Sequence, residues 1–356
     1  MKALVLGGTG FVGMNVVRAL VARGHDVTAT RRSHANTLFA RKLGARLVKA
    51  DFHDPDSLVD AMAGREVVFM CAGHYPRFSL DLEAEVATAR QAVRATLDAA
   101  KKAKVGRYVL TSSVATAGPP GPGKTLADER DPMAPGARHS VYFAVKKAIE
   151  EEALAAVRDG LDVVATCPTG IVGELDVKAG TGFVIVGVGN GMMPYHIDGR
   201  TNLIDADDMA LGHVLAAERG KTGERYILGG HNTTIGEFLQ LIARELDVPF
   251  RSWRLPLPFA AILSTLSEMR CVAQGGRDRP FIPREFVDVV RWGVWVSTAR
   301  ASQELGMPAP VPLAQTIRKA CAWYARFRYL KPTAAGVSPN RRDTAKPSAV
   351  TEGDAA

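Results

Sequence analysis

Short apolar runs alternate with longer amphipathic segments through the first 170 residues of the chain. Six runs rich in Val and Leu, bounded by Gly, Asp or Ser, are predicted as strands: 4–6, 26–30, 46–48, 67–70, 108–111 and 163–166. The segments 12–23, 56–62 and 83–102 between them have helical periodicity. Continuously apolar strands suit a sheet that is covered on both faces, and strand–helix alternation favours parallel pairing. The pattern predicts an α/β fold with a doubly wound parallel sheet.

Beyond Gly173 this regularity fades. Glycines cluster between 180 and 191 and prolines between 256 and 283, with helical patterns at 207–218, 234–246 and 313–326. We therefore predict a main domain over residues 1–172 and a smaller mixed lobe over 173–330, with strands that return to the main sheet. Residues 331–356 are poor in large apolar side chains. Because such a segment cannot offset its ordering entropy, we predict a disordered tail.

The composition is that of an ordinary globular protein, with 47% hydrophobic and 23% charged residues among 356. The net charge of +8 is weak evidence for nucleic acid, which we do not expect as a partner, and equally suits anionic small molecules. Four cysteines lie far apart without a CxxC pair, which favours a reducing, cytoplasmic setting over disulfides or a zinc site. The eight histidines show no HxxxH or HExxH spacing, so no metal site is expected.

We expect neither a secretory signal peptide nor a membrane span, since no apolar stretch approaches ~20 residues. The nearest is Leu255 to Leu266, which is short and contains two prolines. A buried helix or a lid segment is favoured there over membrane contact.

The first strand runs into the pattern GxxGxxG, with glycines at Gly7, Gly10 and Gly13. Gly7 permits a tight turn, Gly10 lets the backbone approach a pyrophosphate, and Gly13 lets the following helix pack closely. The helix N-terminus directs N–H groups at the negative charge. This turn predicts dinucleotide binding, with Thr9, Phe11 and Val12 as further contacts.

The end of the second strand bears on which dinucleotide binds. It carries Arg31 and Arg32 where NAD sites usually place an acidic ribose ligand. Two guanidiniums suit a 2′-phosphate, so NADP(H) is preferred and NAD(H) remains an alternative, as does a solvated basic loop. Asp51 and Phe52 are predicted beside the adenine, although an ordinary turn is nearly as good an interpretation. Ala72, after the fourth strand, is a further predicted cofactor contact.

Tyr142 and Lys146 form a YxxxK pattern at the head of a predicted helix, and the i,i+4 spacing places both on one face. An ammonium beside a phenol favours the phenolate and lowers its pKa, which makes a tyrosine usable as an acid or base. Ser112 and Ser113 follow the fifth strand, at the carboxyl edge where ligands of such sheets bind.

Together these motifs resemble the extended short-chain dehydrogenases/reductases, the superfamily of dihydroflavonol reductases, 3β-hydroxysteroid dehydrogenases and nucleotide-sugar epimerases. The resemblance covers about residues 1–330 and rests on LGGTGFVG, ADFHDPDSL, TSSVAT, YFAVK and CPTGIVG. Residues 193–230 are similar to its dihydroflavonol-reductase-like and hopanoid-associated sugar epimerase-like subgroup. The resemblance implies a Rossmann-type sheet, an enzyme, and in many members a homodimer.

The resemblance also implies residue roles. Tyr142 would be the proton donor or acceptor, Lys146 would hold the nicotinamide ribose, and Ser113 would bind the substrate oxygen. Pro168 and Ile171 would lie near the nicotinamide carboxamide. One departure is the missing Asn-Val-x-Gly-Thr pattern, which is replaced by the sequence ARQAV over residues 89–93.

The same resemblance places the loop after the fourth strand near the substrate. His74, Tyr75 and Phe78 are therefore predicted to line the pocket, with Met193 and Tyr195 as a second wall. A pocket bordered by Tyr75, Phe78, Met192, Met193 and Phe183 favours a hydrophobic ketone, or its alcohol, as the small-molecule substrate. The alternatives are an epimerase or dehydratase that retains NAD and acts on a nucleotide sugar, and a redox-sensing nucleotide-binding protein.

Overall fold

The structure is a computed structural model of the chain that describes residues 1–31, 37–74, 76, 78–274 and 283–331. Its first half alternates strands and helices. In chain order they are β1 (Lys2–Leu6), α1 (Phe11–Ala22), β2 (Asp26–Arg31), α2 (Thr37–Lys42), β3 (Arg46–Lys49), α3 (Pro55–Met62), β4 (Val67–Met70), α4 (Leu82–Lys102), β5 (Arg107–Thr111), α5 (Val141–Ala155), β6 (Val163–Pro168) and β7 (Gly170–Val172).

The second half has shorter strands and more irregular connections. Its elements are α6 (Phe183–Gly189), β8 (Tyr195–His196), β9 (Arg200–Asp205), α7 (Ala206–Arg219), β10 (Arg225–Leu228), β11 (His231–Thr234), α8 (Ile235–Glu245), β12 (Trp253–Arg254), α9 (Leu257–Ala273), α10 (Arg284–Arg291) and α11 (Leu313–Arg326).

Seven strands form one parallel sheet in the order β10-β6-β5-β4-β1-β2-β3. Strand order reverses between β1 and β4, where Leu4 pairs with Val68. At such a switch point the flanking connections leave in opposite directions and open a crevice at the carboxyl ends of the strands. The predicted doubly wound α/β class is confirmed.

Alternate residues of the central strands enter two separate cores. Ala3 and Val5 of β1 pack with α1 and α7, whereas Leu4 and Leu6 pack with α3, α4 and α5 on the opposite face. Successive side chains of a strand point to opposite faces, so both faces must be apolar. This explains why the strands read as continuous apolar runs.

The lobe after β7 has its own sheet and core. β9 pairs with β7 in parallel and with β11 in antiparallel orientation, and a core of α6, α8 and α11 covers this sheet. The chain then contributes to the main sheet again, since β10 pairs with β6. Only Thr169 separates β6 from β7, so the lobe begins at the carboxyl edge of the main sheet.

In the first half the predicted strands and helices agree with the observed elements to within one or two residues. The largest differences are β1, which begins two residues earlier at Lys2, and β6, which continues to Pro168. Side-chain caps fix several helix starts, such as Asp54 at α3 and Asp81 at α4. The predicted tail lies outside the described residues, apart from Lys331.

Candidate active site

The turn between β1 and α1 is closed by glycines that no other residue could replace without displacing a neighbour. Gly7 has φ +78°, and a Cβ there would lie 2.7 Å from the backbone nitrogen of Ala72. A Cβ on Gly13 would lie 2.2 Å from the carbonyl oxygen of Gly7. Gly13 therefore packs the helix onto the turn itself, and the predicted contact Ala72 lies directly against that turn.

α1 begins at the turn without a side-chain cap. Its N-cap residue is Gly10, which has no side chain to accept a hydrogen bond from the helix N–H groups, and no acidic residue lies in the first turn. Gly10, Phe11 and Val12 line a large cavity at this point, while Thr9 is half-buried in the turn. The N–H groups at a helix start need acceptors and carry partial positive charge, so this wall fits the pyrophosphate of a dinucleotide.

At the predicted adenosine end, Arg31 is the last residue of β2, and Arg32 lies outside the described residues. The Asp51 carboxylate accepts a hydrogen bond from the His53 N–H at 3.0 Å and so stabilises a turn. Phe52 packs partly against the sheet core. Within the described chain, none of these residues lines the cavity.

Ser113 and Tyr142 meet where β5 ends. The Ser113 Oγ lies 2.9 Å from the Tyr142 Oη, and it also accepts a hydrogen bond from the Ala115 N–H at 3.1 Å. The neighbouring Ser112 hydroxyl donates instead to the Glu150 carboxylate at 2.6 Å. Of the two serines, Ser113 therefore presents its hydroxyl to Tyr142.

Lys146 lies one helical turn after Tyr142 on α5, and its Nζ donates to the Ser112 carbonyl oxygen at 3.4 Å. Burial lowers the pKa of Lys146. Burial also raises the pKa of Tyr142 to about 12, although the hydrogen bond with Ser113 acts in the opposite direction. The sequence predicted a lowered pKa for this phenol, and that prediction is wrong. The net shift is upward, because the loss of hydration outweighs the hydrogen bond that favours the phenolate.

Glu150 holds the serine turn from behind. Its carboxylate accepts hydrogen bonds from the hydroxyls of Ser112 at 2.6 Å and Thr116 at 2.7 Å, and it pairs with the Arg225 guanidinium at 3.1 Å. The Glu150 side chain is 1% exposed. A buried ion pair with its oxygens in hydrogen bonds fixes geometry at a high desolvation cost. Glu150 is thus the buried anchor that links α5 and β10 to the serine turn.

The start of the lobe faces the same cavity. Pro168 and Ile171, which the resemblance placed near the nicotinamide, both line it. Thr169 lies between them, and its buried hydroxyl has no hydrogen-bond partner in the described part of the chain. A buried hydroxyl normally has a partner, so Thr169 fits a carboxamide or another polar ligand group. No motif singled it out.

The cavity encloses about 1560 Å³. Of the residues predicted to face the substrate, Met193 and Tyr195 line it. His74 does not, because its ring is paired with the Glu85 carboxylate, and Phe78 is likewise not among the described lining residues. Tyr75 lies outside the described residues. The described residues of the loop after β4 therefore do not line this cavity, contrary to our expectation for His74 and Phe78.

α9 and α10 form the wall that the sequence did not predict. Leu263 and Leu266 of α9, with Phe286 and Val289 of α10, face the cavity. Phe183, which the sequence does predict at the pocket, joins them, and we call these five residues the apolar wall. The rings of Phe183 and Phe286 stack at 5.2 Å. Trp292, after α10, also lines the cavity and packs against the same small buried cluster as Tyr142. These segments lie more than 100 residues from the YxxxK pattern, so no local spacing could associate them with it.

Neither a metal-ion site nor a membrane-spanning helix is found among the described residues. No group of three or more His, Cys, Asp or Glu side chains there could hold a metal ion. Among the helices of that same part, none is long and apolar enough to cross a membrane.

A glycine turn and an open helix start at the switch point of a doubly wound parallel sheet define a nicotinamide-dinucleotide-binding oxidoreductase of the short-chain dehydrogenase/reductase type. The chain belongs to the NAD dependent epimerase/dehydratase family, whose family model matches residues 3–229. The resemblance drawn from the motifs is thereby confirmed.

Three relatives match nearly the whole chain. A Synechocystis sp. protein provisionally named dihydroflavonol 4-reductase is 34% identical over 92% of this chain and 95% of its own. Sterol demethylase protein B of Methylococcus capsulatus is 28% identical over 91% and 98%. A 4-hydroxy-2-methyl-3-oxo-4-farnesyl-3,4-dihydroquinoline-1-oxide ketoreductase of Stigmatella aurantiaca is 28% identical over 96% and 100%.

Solved structures agree on the architecture. The crystal structure of gox2253 has a TM-score of 0.79 and 31% identity, with 92% of this chain and 99% of that chain covered. PA4631, a nucleoside-diphosphate-sugar epimerase from Pseudomonas aeruginosa, has a TM-score of 0.76 and 28% identity over 93% and 99%. The relatives thus include proteins named for reduction and for epimerisation.

Proposed function

We propose that this enzyme reduces the ketone of an apolar small molecule to a secondary alcohol, with NADPH as the hydride donor. The observation that carries the proposal is the hydrogen-bonded Ser113–Tyr142 pair, which opens into a large cavity with an apolar opposite wall. The relatives named ketoreductase and dihydroflavonol 4-reductase support a carbonyl as the reacting group.

The residues present fit a dinucleotide along one wall of the cavity. Gly10 with the start of α1 would hold the pyrophosphate, because this helix start has no side-chain cap and lines the cavity, and Gly7 closes the turn against Ala72. Lys146 would hold the nicotinamide ribose, and the unpartnered hydroxyl of Thr169 would bind the carboxamide. When bound, the reduced nicotinamide supplies a hydride to the substrate carbon.

Tyr142 and Ser113 act on the substrate oxygen. A carbonyl oxygen within reach of both hydroxyls would accept a hydrogen bond from Ser113 and a proton from Tyr142 as negative charge develops on it. Because burial holds the Tyr142 pKa at about 12, the phenol is protonated at neutral pH and can act as the acid. The phenol is thus in the form that reduction uses, whereas alcohol oxidation would use the phenolate.

The preference for NADP(H) is part of the proposal and depends on Arg31 and Arg32. Arg31 ends β2, at the carboxyl edge next to the glycine turn. A guanidinium at that edge would pair with a 2′-phosphate, which NAD lacks.

Nucleotide-sugar epimerisation with retained NAD is the second candidate. Arg200 and Arg270 line the cavity and could bind a sugar-linked diphosphate, and PA4631 carries an epimerase name. We favour the ketone because the Arg200 guanidinium is already stacked on the Trp295 ring, with its carbon 4.8 Å from the ring centre.

A substrate screen decides between the two candidates. NADPH and NADH oxidation should be followed with a panel of apolar aromatic and aliphatic ketones, and nucleotide sugars should be tested for epimerisation by product analysis. We expect NADPH-dependent reduction of bulky ketones and no sugar product. Epimerised sugar without net cofactor turnover would overturn the proposal.

A further inference from the structure

The outward face of α9 exposes a continuous row of large apolar side chains. Phe259, Ile262, Leu266 and Met269 follow the spacing 3-4-3 along one helix face, and they are 50%, 59%, 56% and 61% exposed. We call these four residues the α9 stripe. A soluble surface helix normally turns such a row toward the core, so an exposed row marks an interaction surface.

The neighbouring face of α9 lines the cavity, so the apolar surface of this helix continues from the stripe into the cavity. Leu263 and Cys271 face the cavity, and Leu266 belongs both to the stripe and to the cavity lining. Val289 of α10 also lines the cavity and is 42% exposed. The mouth of the cavity therefore opens beside the α9 stripe.

The charged groups around the stripe favour an anionic surface. In the described residues of β12, α9 and α10, the exposed charged side chains are arginines: Arg254, Arg270, Arg284 and Arg291. The loop before β12 carries one exposed charge of each sign, Asp247 and Arg251. Two of them, Arg254 and Arg284, lie 3.8 Å from Asp198 and Asp288.

The acidic side chains of α9 and α10 are withdrawn from the surface. Glu285 and Asp288 are 6% and 4% exposed, and Glu268 is half-buried. Trp253, 76% exposed in β12, adds the kind of aromatic side chain that is enriched at lipid headgroups.

We propose that the α9 stripe docks onto an anionic lipid surface and that the cavity takes its apolar substrate from that surface. The uptake of substrate from the lipid surface rests on the proposed function, whereas the docking itself does not. A second copy of the chain fits less well, because a twofold contact through this face would bring arginines against arginines. Lipid headgroups instead complement the arginines while the stripe enters the apolar boundary.

Vesicle flotation of the full chain tests the docking. Phosphatidylcholine vesicles with phosphatidylglycerol are compared with phosphatidylcholine alone, for the wild type and for the double variant Ile262→Gln and Met269→Gln. We expect the wild type to bind only vesicles that contain the anionic lipid. Binding should fall roughly tenfold or more in the double variant, because it lacks two apolar side chains that would be buried in the lipid. Leu38→Gln, a change at an equally exposed leucine (63%) on α2, is the matched control and should bind as the wild type does.

A second arm removes the charge. The double variant Arg251→Gln and Arg291→Gln should lose the preference for phosphatidylglycerol. Thermal unfolding midpoints close to that of the wild type show that each variant is folded.

Three outcomes would overturn the docking proposal. They are no flotation of the wild type, equal flotation of the stripe variant, or a wild-type dimer in size-exclusion chromatography that the stripe variant dissociates. Reduction of a water-soluble ketone by a protein that does not float would refute docking and leave the proposed function standing. Flotation without ketone reduction would do the reverse.

Discussion

The cavity has two walls built on opposite principles. On the main-sheet side, Ser112, Ser113, Tyr142 and Lys146 are fixed by hydrogen bonds, with the buried Glu150 behind them, and we call these five residues the polar wall. On the lobe side, the apolar wall has few polar atoms, and Phe183, Leu266 and Val289 are 41–56% exposed. Proton transfer needs fixed distances, whereas an apolar substrate needs volume and exclusion of water. The contrast separates a site for chemistry from a site for recognition.

The largest expected effect comes from removing the Tyr142 hydroxyl of the polar wall, compared with removing a tyrosine hydroxyl elsewhere in the cavity. Tyr142→Phe should lower kcat for ketone reduction by about 10²–10⁴, because the general acid is lost, with little change in NADPH affinity. Tyr195→Phe, at an exposed cavity-lining tyrosine of the lobe, is the matched control and should stay near the wild-type rate. Steady-state kinetics and cofactor fluorescence titration measure both. Equal losses of kcat in the two variants would contradict the assignment of proton transfer to Tyr142.

The second prediction concerns the support behind the polar wall. Glu150→Gln leaves the buried Arg225 guanidinium without its carboxylate, so the free energy of unfolding should fall by about 3–5 kcal/mol. Glu151→Gln, at the next residue and 52% exposed, should change it by about 0–1 kcal/mol. Urea unfolding provides both values. Equal stability of the two variants would show that the Glu150 network does not hold the wall.

The third prediction concerns the choice between NADPH and NADH at the predicted adenosine end of the cofactor site. Replacing both Arg31 and Arg32 by Ala should weaken NADPH binding roughly tenfold to several hundredfold and barely alter NADH, because charge-assisted bonds to the 2′-phosphate are lost. Arg41→Ala removes an exposed charge from the neighbouring α2 and should leave both affinities unchanged. Proportional loss of NADH and NADPH affinity would contradict the specificity assignment and favour the NAD-retaining epimerase.

The smallest effect is expected from pH. Since burial raises the Tyr142 pKa to about 12, the proton-donating form persists through neutral pH. Ketone reduction should therefore stay level there and decline only in the alkaline range, while oxidation of the product alcohol should speed up as pH rises. A reduction rate that already falls between neutral and mildly alkaline pH would mean that a different group supplies the proton.

Much of the fold could be predicted because its information is local. The apolar runs of the main sheet, the helix starts after Asp54 and Asp81, and the glycine turn each depend on residues within one supersecondary unit. The lobe was harder to predict, because two-residue strands such as β8 and β12 form only by pairing with a segment far away in the sequence. Their two residues carry no periodicity that could reveal them.

The sequence by itself determined the doubly wound sheet, the dinucleotide turn and the Tyr142–Lys146 pair, because turn geometry and helical spacing depend on neighbours in the chain. Tertiary structure alone decided that burial raises the pKa of the phenol, and that α9 rather than His74 or Phe78 lines the cavity. These outcomes depend on which surfaces meet and which groups lose water. Packing between segments far apart in the chain sets both, and no local pattern records it.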